Sequence, residues 1–200
     1  LEDAYEPGSI MKILTTAAAI NSGNYNGNAT FKSGSYSIDG NAINDWNPAG
    51  WGEISYHDGF IRSSNVGMAK LEQAMGSKTW MNYIKRFGLL KSTNAGLGNE
   101  VSGSIEYKYP IEQANTAFGQ GINVTVFQML QAISAVANNG KMVKPYLVSK
   151  VVDPNTGKTV YSQSPKVVGR PIRSETAKEV RELMEDVVTD KDGTGTAYKN

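Results

Sequence analysis

One short stretch constrains this chain more than any other. From Ile10 to Ile20 the apolar residues Ile10, Ile13, Leu14, Ala17, Ala18 and Ile20 recur at the spacing of a helix face, until Asn21 to Gly23 stops the pattern. The stretch holds Lys12, Thr15 and Thr16, so it is too short and too polar to cross a bilayer. Its apolar surface must therefore be covered by the rest of the polypeptide. Two hundred residues are enough for that, and apolar and charged fractions of 40% and 20% leave no room for a disordered or collagen-like chain.

The rest of the pattern predicts mostly helices. Ser64 caps a helix through Val66, Met68, Leu71 and Met75 to Gly76, and Ser77 caps another through Trp80, Tyr83, Ile84 and Phe87 to Gly88. Thr125 with Gln128 forms a capping box ahead of Met129, Leu130, Ile133 and Val136. Ser174 starts a last helix through Ala177, Val180, Leu183, Met184 and Val187, and Asp190 to Thr196 reads as a turn or loop. Residues 24–53 are rich in Gly, Asn and Ser and predict loops with one or two short strands, and 88–103 is again loop-like. Tyr146 to Val152 and Lys158 to Ser162 flank Asp153-Pro-Asn-Thr-Gly157 as one β-hairpin. Nothing in the chain repeats or divides it, so residues 1–200 are expected to lie in one domain of five or more helices with few strands.

Composition narrows the chemistry. Twenty Lys plus Arg against nineteen Asp plus Glu give a net charge of +1, which disfavours a nucleic-acid partner. With no cysteine and one histidine, thiol nucleophiles, disulfides, thiolate metal sites and all-histidine metal sites are excluded. No metal or cofactor is called for, and the chemistry must use oxygen nucleophiles, carboxylates or lysines. Ser9 and Lys12 then stand out: three residues apart in a first helical turn, they share one face, so the amine can reach the hydroxyl. A serine hydroxyl needs a base, and a lysine becomes one when burial lowers its pKa. The helix start adds positive potential and the Ser9 backbone N–H as an oxyanion donor. The plain alternative is an N-cap serine beside a solvated lysine. Ser9 is nevertheless the single serine here with a lysine three residues on, and Ser63-Ser64-Asn65 adds a Ser-x-Asn at a turn between two helices. Two other Ser-x-Asn matches, at Ser22 and Ser92, sit in loops and read as turn residues.

Together these segments resemble the penicillin-binding proteins, most closely the class B peptidoglycan D,D-transpeptidases of Gram-positive cell division. The residues that carry the resemblance are Tyr5 to Lys12, Asp45 and Trp46, Ser63 to Met68 with Leu71 and Glu72, and Ala117 to Thr125, in that order along the chain. The resemblance implies an α+β fold: the mainly helical lobe of the serine β-lactamase-like transpeptidase fold, with one hairpin and most of the central antiparallel sheet outside these residues. It implies Ser9 as nucleophile toward the D-Ala-D-Ala bond of a peptidoglycan stem peptide, or toward a β-lactam, and Lys12 as general base. Ser63 would relay a proton, and Asn65 would bind substrate and hold Lys12. Trp46 would form an aromatic wall of the cleft, and Gln120 would lie on a loop approaching it.

A Lys-Ser/Thr-Gly third motif is also implied. Lys191-Asp-Gly-Thr194 imitates it, but its composition reads as a turn, so the third motif is expected just past Asn200 and residues 1–200 alone are expected to be inactive. The rest of the same domain and cell-division proteins are the implied partners. The implied location is the outer face of the bacterial membrane, anchored by an N-terminal segment not in this chain. A D,D-carboxypeptidase or β-lactamase, and a non-catalytic penicillin-recognising sensor or scaffold, are the alternatives. His57 has no Gly-x-Ser-x-Gly elbow to serve and is expected to take a surface or cap role.

Overall fold

The computed structural model describes residues 3–96 and 98–199. A 3₁₀ turn at Gly8–Ile10 leads into α1 (Met11–Asn21). Four short strands follow: β1 (Thr30–Lys32), β2 (Ser35–Ile38), β3 (Asn41–Asn44) and β4 (Glu53–Ser55). Next come α2 (Tyr56–Ile61), α3 (Asn65–Met75) and α4 (Ser77–Arg86). Then β5 (Ser104–Ile105), α5 (Pro110–Thr116), β6 (Ile122–Asn123), α6 (Val126–Ala137) and β7 (Met142–Val143) run in order. The described chain ends with β8 (Lys150–Val152), β9 (Thr159–Ser162), β10 (Val167–Gly169), α7 (Ser174–Thr189) and a 3₁₀ turn at Thr196–Tyr198.

α1 is the axis of the molecule. Met11, Leu14, Ala17, Ala18 and Ala19 are fully buried, and α3, α4, α6 and α7 pack around them. A helix covered on all sides must also satisfy its polar side chains internally. Thr15 Oγ1 donates to Met11 O at 3.2 Å and to Ala117 O at 2.7 Å, and Thr16 Oγ1 donates to Met68 Sδ at 3.6 Å. The alanines let the neighbours close on the α1 backbone, and Trp80, Phe87, Leu71 and Ile84 fill the space beyond, with the Trp80 indole N–H donating to Thr116 Oγ1. The apolar core forms one cluster reaching from α1 to Val180 and Leu183 of α7.

The strands pair only in twos, all antiparallel: β1 with β4, β2 with β3, β5 with β6, β7 with β10 and β8 with β9. An isolated bridge joins Tyr5 to Val124. This is an α+β arrangement in which helices build the core and the strands lie at its margins.

Several sequence expectations hold at the level of single hydrogen bonds. Ser64 Oγ accepts the Gly67 N–H at the head of α3, and Thr125 and Gln128 form their reciprocal box at the head of α6. Ser77 does not cap α4: it is the first helical residue, and the cap is Gly76 at φ +79°, a left-handed backbone that glycine adopts without steric cost. The region of residues 24–53 forms three short strands and the start of a fourth rather than one or two. Its alternating burial, as in Phe31 facing inward between the exposed Thr30 and Lys32, is masked in the sequence by the many turn residues. His57 is half-exposed in the first turn of α2, in keeping with the surface or cap role expected of it. Its Nε2 lies 2.9 Å from Asp186 Oδ2, tying α2 to α7. Among the described residues no helix is long and apolar enough to cross a membrane, and no cluster of three potential metal ligands is formed.

Candidate functional site

Ser9 sits exposed in the 3₁₀ turn, and Lys12 is buried one turn on, with 4% of its surface exposed. Burial disfavours the ammonium and pulls the Lys12 pKa down from 10.5 to about 8, while the negative charge of Asp45 opposes part of that shift. Lys12 Nζ donates to the Ser63 carbonyl oxygen at 2.6 Å and to Ser63 Oγ at 3.0 Å. Ser63 Oγ in turn lies 3.2 Å from Ser9 Oγ. Two hydroxyls and one amine therefore form an unbroken chain, assembled from segments 51 residues apart. They line one side of a cleft of about 300 Å³ whose other walls are Ile10, Ile13, Phe60, Met184, Val187 and Thr194.

The conformation of Ser63 makes the chain possible. α2 ends with the Ser63 N–H bonded to Phe60 O and the Ser64 N–H bonded to Gly59 O, the two bonds of a Schellman motif. That motif wants a left-handed residue and usually takes glycine, yet Ser63 occupies it at φ +59°. The cost is of order 1 kcal/mol. In return the turn points both the carbonyl and the hydroxyl of one residue at Lys12.

The Ser9 turn is held from the opposite side by the loop after α5. The Gly8 N–H donates to Gly119 O at 3.1 Å, the Gly121 N–H donates to Glu6 Oε1 at 2.7 Å, and Thr15 Oγ1 donates to Ala117 O. A Cβ at Gly119 would lie 2.2 Å from Gly8 O, and Gly119 has φ +84°, so nothing larger fits. The loop that carries Gln120 thus packs against the Ser9 turn. Gln120 itself is exposed, with its backbone N–H bonded to Asn115 O.

Trp46 is 66% exposed, on the segment between β3 and β4. Its indole N–H donates to Arg62 O at 2.8 Å, one residue before Ser63, and its ring meets Trp51 edge-on at 5.4 Å. It stands as an aromatic face next to the serine turn. Asn65 is placed differently from expectation. Its side-chain amide donates to Asn44 O at 2.9 Å, and no hydrogen bond joins it to Lys12. The Lys12 amine already spends two donors on Ser63, so the tie that holds it comes from Ser63, while Asn65 fastens α3 to the end of β3.

The Lys191 to Thr194 stretch is a turn, as its composition predicts. Asp192 pairs with Arg62 at 2.8 Å, the Thr194 N–H donates to Ile61 O at 3.0 Å, and Thr194 thereby reaches the cleft rim. Two contributors had no role read for them in the sequence. Gly119 carries a signal only as one glycine in a matched segment. Asp45, 3% exposed, accepts from Gly34 N, Ser64 Oγ and Val66 N, and only the pairing of a distant loop with the head of α3 shows it.

Residues 1–200 match the penicillin binding protein transpeptidase domain. Stage V sporulation protein D of Bacillus subtilis is 38% identical over 196 residues, covering 96% of this chain and 30% of that protein. Peptidoglycan D,D-transpeptidase FtsI of Escherichia coli is 34% identical over 167 residues, covering 82% of this chain and 28% of that protein. Among solved structures, Penicillin Binding Protein 2X from Streptococcus thermophilus superposes with a TM-score of 0.87 at 40% identity over 93% of this chain and 28% of that one. The D,D-transpeptidase domain of a peptidoglycan glycosyltransferase from Eggerthella lenta gives 0.90 at 27% identity, over 99% of this chain and 51% of that one. The chain spans about three tenths of the length of the curated relatives it matches.

Proposed function

The chain belongs to the penicillin-binding protein transpeptidase family, and from that membership we propose that it carries the nucleophile side of a peptidoglycan D,D-transpeptidase. The observation that carries the reading is the continuous path from Ser9 Oγ through Ser63 Oγ to the buried Lys12 amine. Lys12 with a pKa of about 8 is uncharged in about a tenth of molecules at pH 7. In that form it takes the Ser9 proton, directly or through Ser63, as Ser9 Oγ adds to the carbonyl between the two terminal D-alanines of a stem peptide. The oxyanion receives the Ser9 N–H. The C–N bond then breaks, the proton returns to the departing D-alanine amine, and an acyl ester remains on Ser9. An amine of a neighbouring strand attacks that ester, loses its proton along the same path, and frees Ser9. A β-lactam follows the first half of the sequence and stays attached.

Trp46 and Gln120 are assigned to substrate contact, Trp46 as a wall beside the Ser63 turn and Gln120 from the loop packed on Gly8. Asn65 is assigned to substrate through the amide oxygen its bond to Asn44 leaves free. Binding of the substrate carboxylate is assigned to a Lys-Ser/Thr-Gly segment outside these residues, so residues 1–200, as part of one transpeptidase domain, are not expected to turn over alone. We place the active protein at the outer face of the bacterial membrane, with cell-division proteins as partners; support comes from relatives named as a stage V sporulation protein and a peptidoglycan D,D-transpeptidase. The test uses the longest natural polypeptide that contains these residues. Incubation with a fluorescent penicillin and peptide mapping should place the label on Ser9 and lose it in Lys12→Ala. A folded protein labelled elsewhere, or not at all, overturns the proposal, and rapid release of hydrolysed penicillin would select the β-lactamase alternative.

A further inference from the structure

We propose that Asp45 is a positioning residue of the serine site, clamping the junction between α2 and α3 so that Ser63 keeps both its oxygens on the Lys12 amine. The catalytic part of this inference rests on the reading above; the structural part does not.

Asp45 follows β3 directly, and its backbone N–H donates to Gly34 O at 2.9 Å while its Oδ2 accepts the Gly34 N–H at 2.8 Å. That two-bond bracket fixes the carboxylate against the β1–β2 turn. Its other oxygen, Oδ1, accepts from Ser64 Oγ at 2.8 Å and from the Val66 N–H at 3.0 Å. Ser64 Oγ passes the restraint on by accepting the Gly67 N–H at 2.9 Å. An isolated Ser64 would suffice as a helix cap. A buried carboxylate behind it is more than capping requires, since burying a charge costs free energy that only dense hydrogen bonding recovers.

What the additional restraint secures lies one residue upstream. Ser63 is held in its left-handed conformation on one side by the two carbonyls at the end of α2. Those bonds would be kept if Ser64 swung away from α3, but the direction of the Ser63 carbonyl and hydroxyl would not. Asp45 removes that freedom by fixing Ser64 Oγ and the Val66 N–H to the same oxygen. The Ser63 carbonyl then meets Lys12 Nζ at 2.6 Å and the hydroxyl meets it at 3.0 Å.

Asp45 also acts on Lys12 through space. Among the described residues it is the charge that perturbs the Lys12 amine, drawing its pKa up against the downward pull of burial. The cleft that Lys12 lines otherwise brings hydroxyls from Ser9, Ser63 and Thr194 and apolar side chains from the Ser9 turn, α1, α2 and α7. One carboxylate therefore sets both the geometry and the charge balance of the base, and the two effects separate experimentally.

Asp45→Asn removes the charge and one acceptor. Ser64→Ala keeps the charge but cuts the hydroxyl that links Asp45 to Gly67. Ile84→Val, in the buried face of α4 away from the cleft, serves as a control for destabilisation alone. Three measurements are made on the longest natural polypeptide containing these residues: thermal melting, the titration of the Lys12 side chain by NMR, and the rate of penicillin acylation across pH. Asp45→Asn should move the Lys12 midpoint to lower pH and cut acylation at least tenfold even above that midpoint, where protonation no longer limits. Ser64→Ala should cut acylation while leaving the midpoint in place, and Ile84→Val should change neither. A folded Asp45→Asn with the wild-type midpoint and rate overturns the proposal, and so do equal losses in all three variants. If Asp45→Asn does not fold, Ser64→Ala against Ile84→Val decides the positioning role. A wild type that takes no penicillin overturns the catalytic reading, while the Lys12 midpoint still decides the contact with Asp45.

Discussion

α1 and the β8–β9 hairpin are both plain in the sequence, and the structure treats them in opposite ways. Along α1 every residue from Met11 to Ala19 except Ile13 is buried, and the polar ones among them reach partners on other elements. The hairpin is exposed on both faces of both strands, with Val151, Val160 and Tyr161 between 44% and 65% accessible. Its order comes from the turn, where the Asp153 carboxylate accepts the Asn155 N–H and the Thr156 hydroxyl and Gly157 adopts φ +67°. The contrast separates two sources of structure. The hairpin is set locally, by two strands joined through one short turn, whereas α1 and its site are set by segments that meet only on folding.

Substitutions sharpen this contrast, beginning where the site is least forgiving. Gly119→Ala should destabilise by about 3 kcal/mol or more, because its Cβ would lie 2.2 Å from the Gly8 backbone and its φ suits glycine alone. Urea unfolding would measure that, and a near-neutral result would break the view that the Ser9 turn is seated on this loop.

Lys12→Met should act in the other direction. The folded pKa of about 8 lies below the unfolded value of 10.5, so the charged lysine destabilises the fold fully below about pH 8. That penalty, about 3 kcal/mol from the pKa difference, fades as pH rises through 10.5. The variant should therefore gain about 2 kcal/mol at pH 7, once the lost bonds to Ser63 are counted, and show no rise in stability between pH 8 and 10.5. Melting curves across pH would test the sign, and penicillin acylation should be lost. In the wild type the acylation rate should climb with pH around a midpoint of about 8, the ionisation of the same amine.

Ser63→Gly should be smaller and more telling. Glycine relieves the left-handed strain and should raise stability by up to about 1 kcal/mol, yet it deletes the hydroxyl between Lys12 and Ser9 and should slow acylation. A variant both less stable and fully active would remove the argument from the Schellman turn. Smallest of all, Val160→Thr in the exposed hairpin should change stability by less than about 0.5 kcal/mol and leave acylation alone. A larger loss would mean that the hairpin is not the local structure its exposure indicates.

Much of this was legible from residues alone. The spacing of Ile10 to Ile20 marks α1, the Thr125 and Gln128 box marks the start of α6, and Ser64 marks the start of α3, because helix periodicity and capping act within a few residues. Ser9 and Lys12 were visible as a pair for the same reason. The short strands β1 to β4 were harder, since each is only three or four residues long and their pairing partners set them more than their own propensities. Asn65 shows the limit of carrying a role over by resemblance: its amide is engaged with Asn44, and Ser63 holds the lysine instead.

By itself the sequence determined where α3 and α6 begin, that Ser9 and Lys12 share one face of a helix start, and which family the chain resembles. Only the tertiary structure decided that Lys12 loses its water and its pKa falls to about 8, that Ser63 turns left-handed to meet it, and that Asp45 and Gly119 brace the two sides of the cleft. The physical reason is range: periodicity, caps and turns are written in neighbouring residues, whereas desolvation, charge and close packing belong to whatever distant segments the folded chain brings into contact.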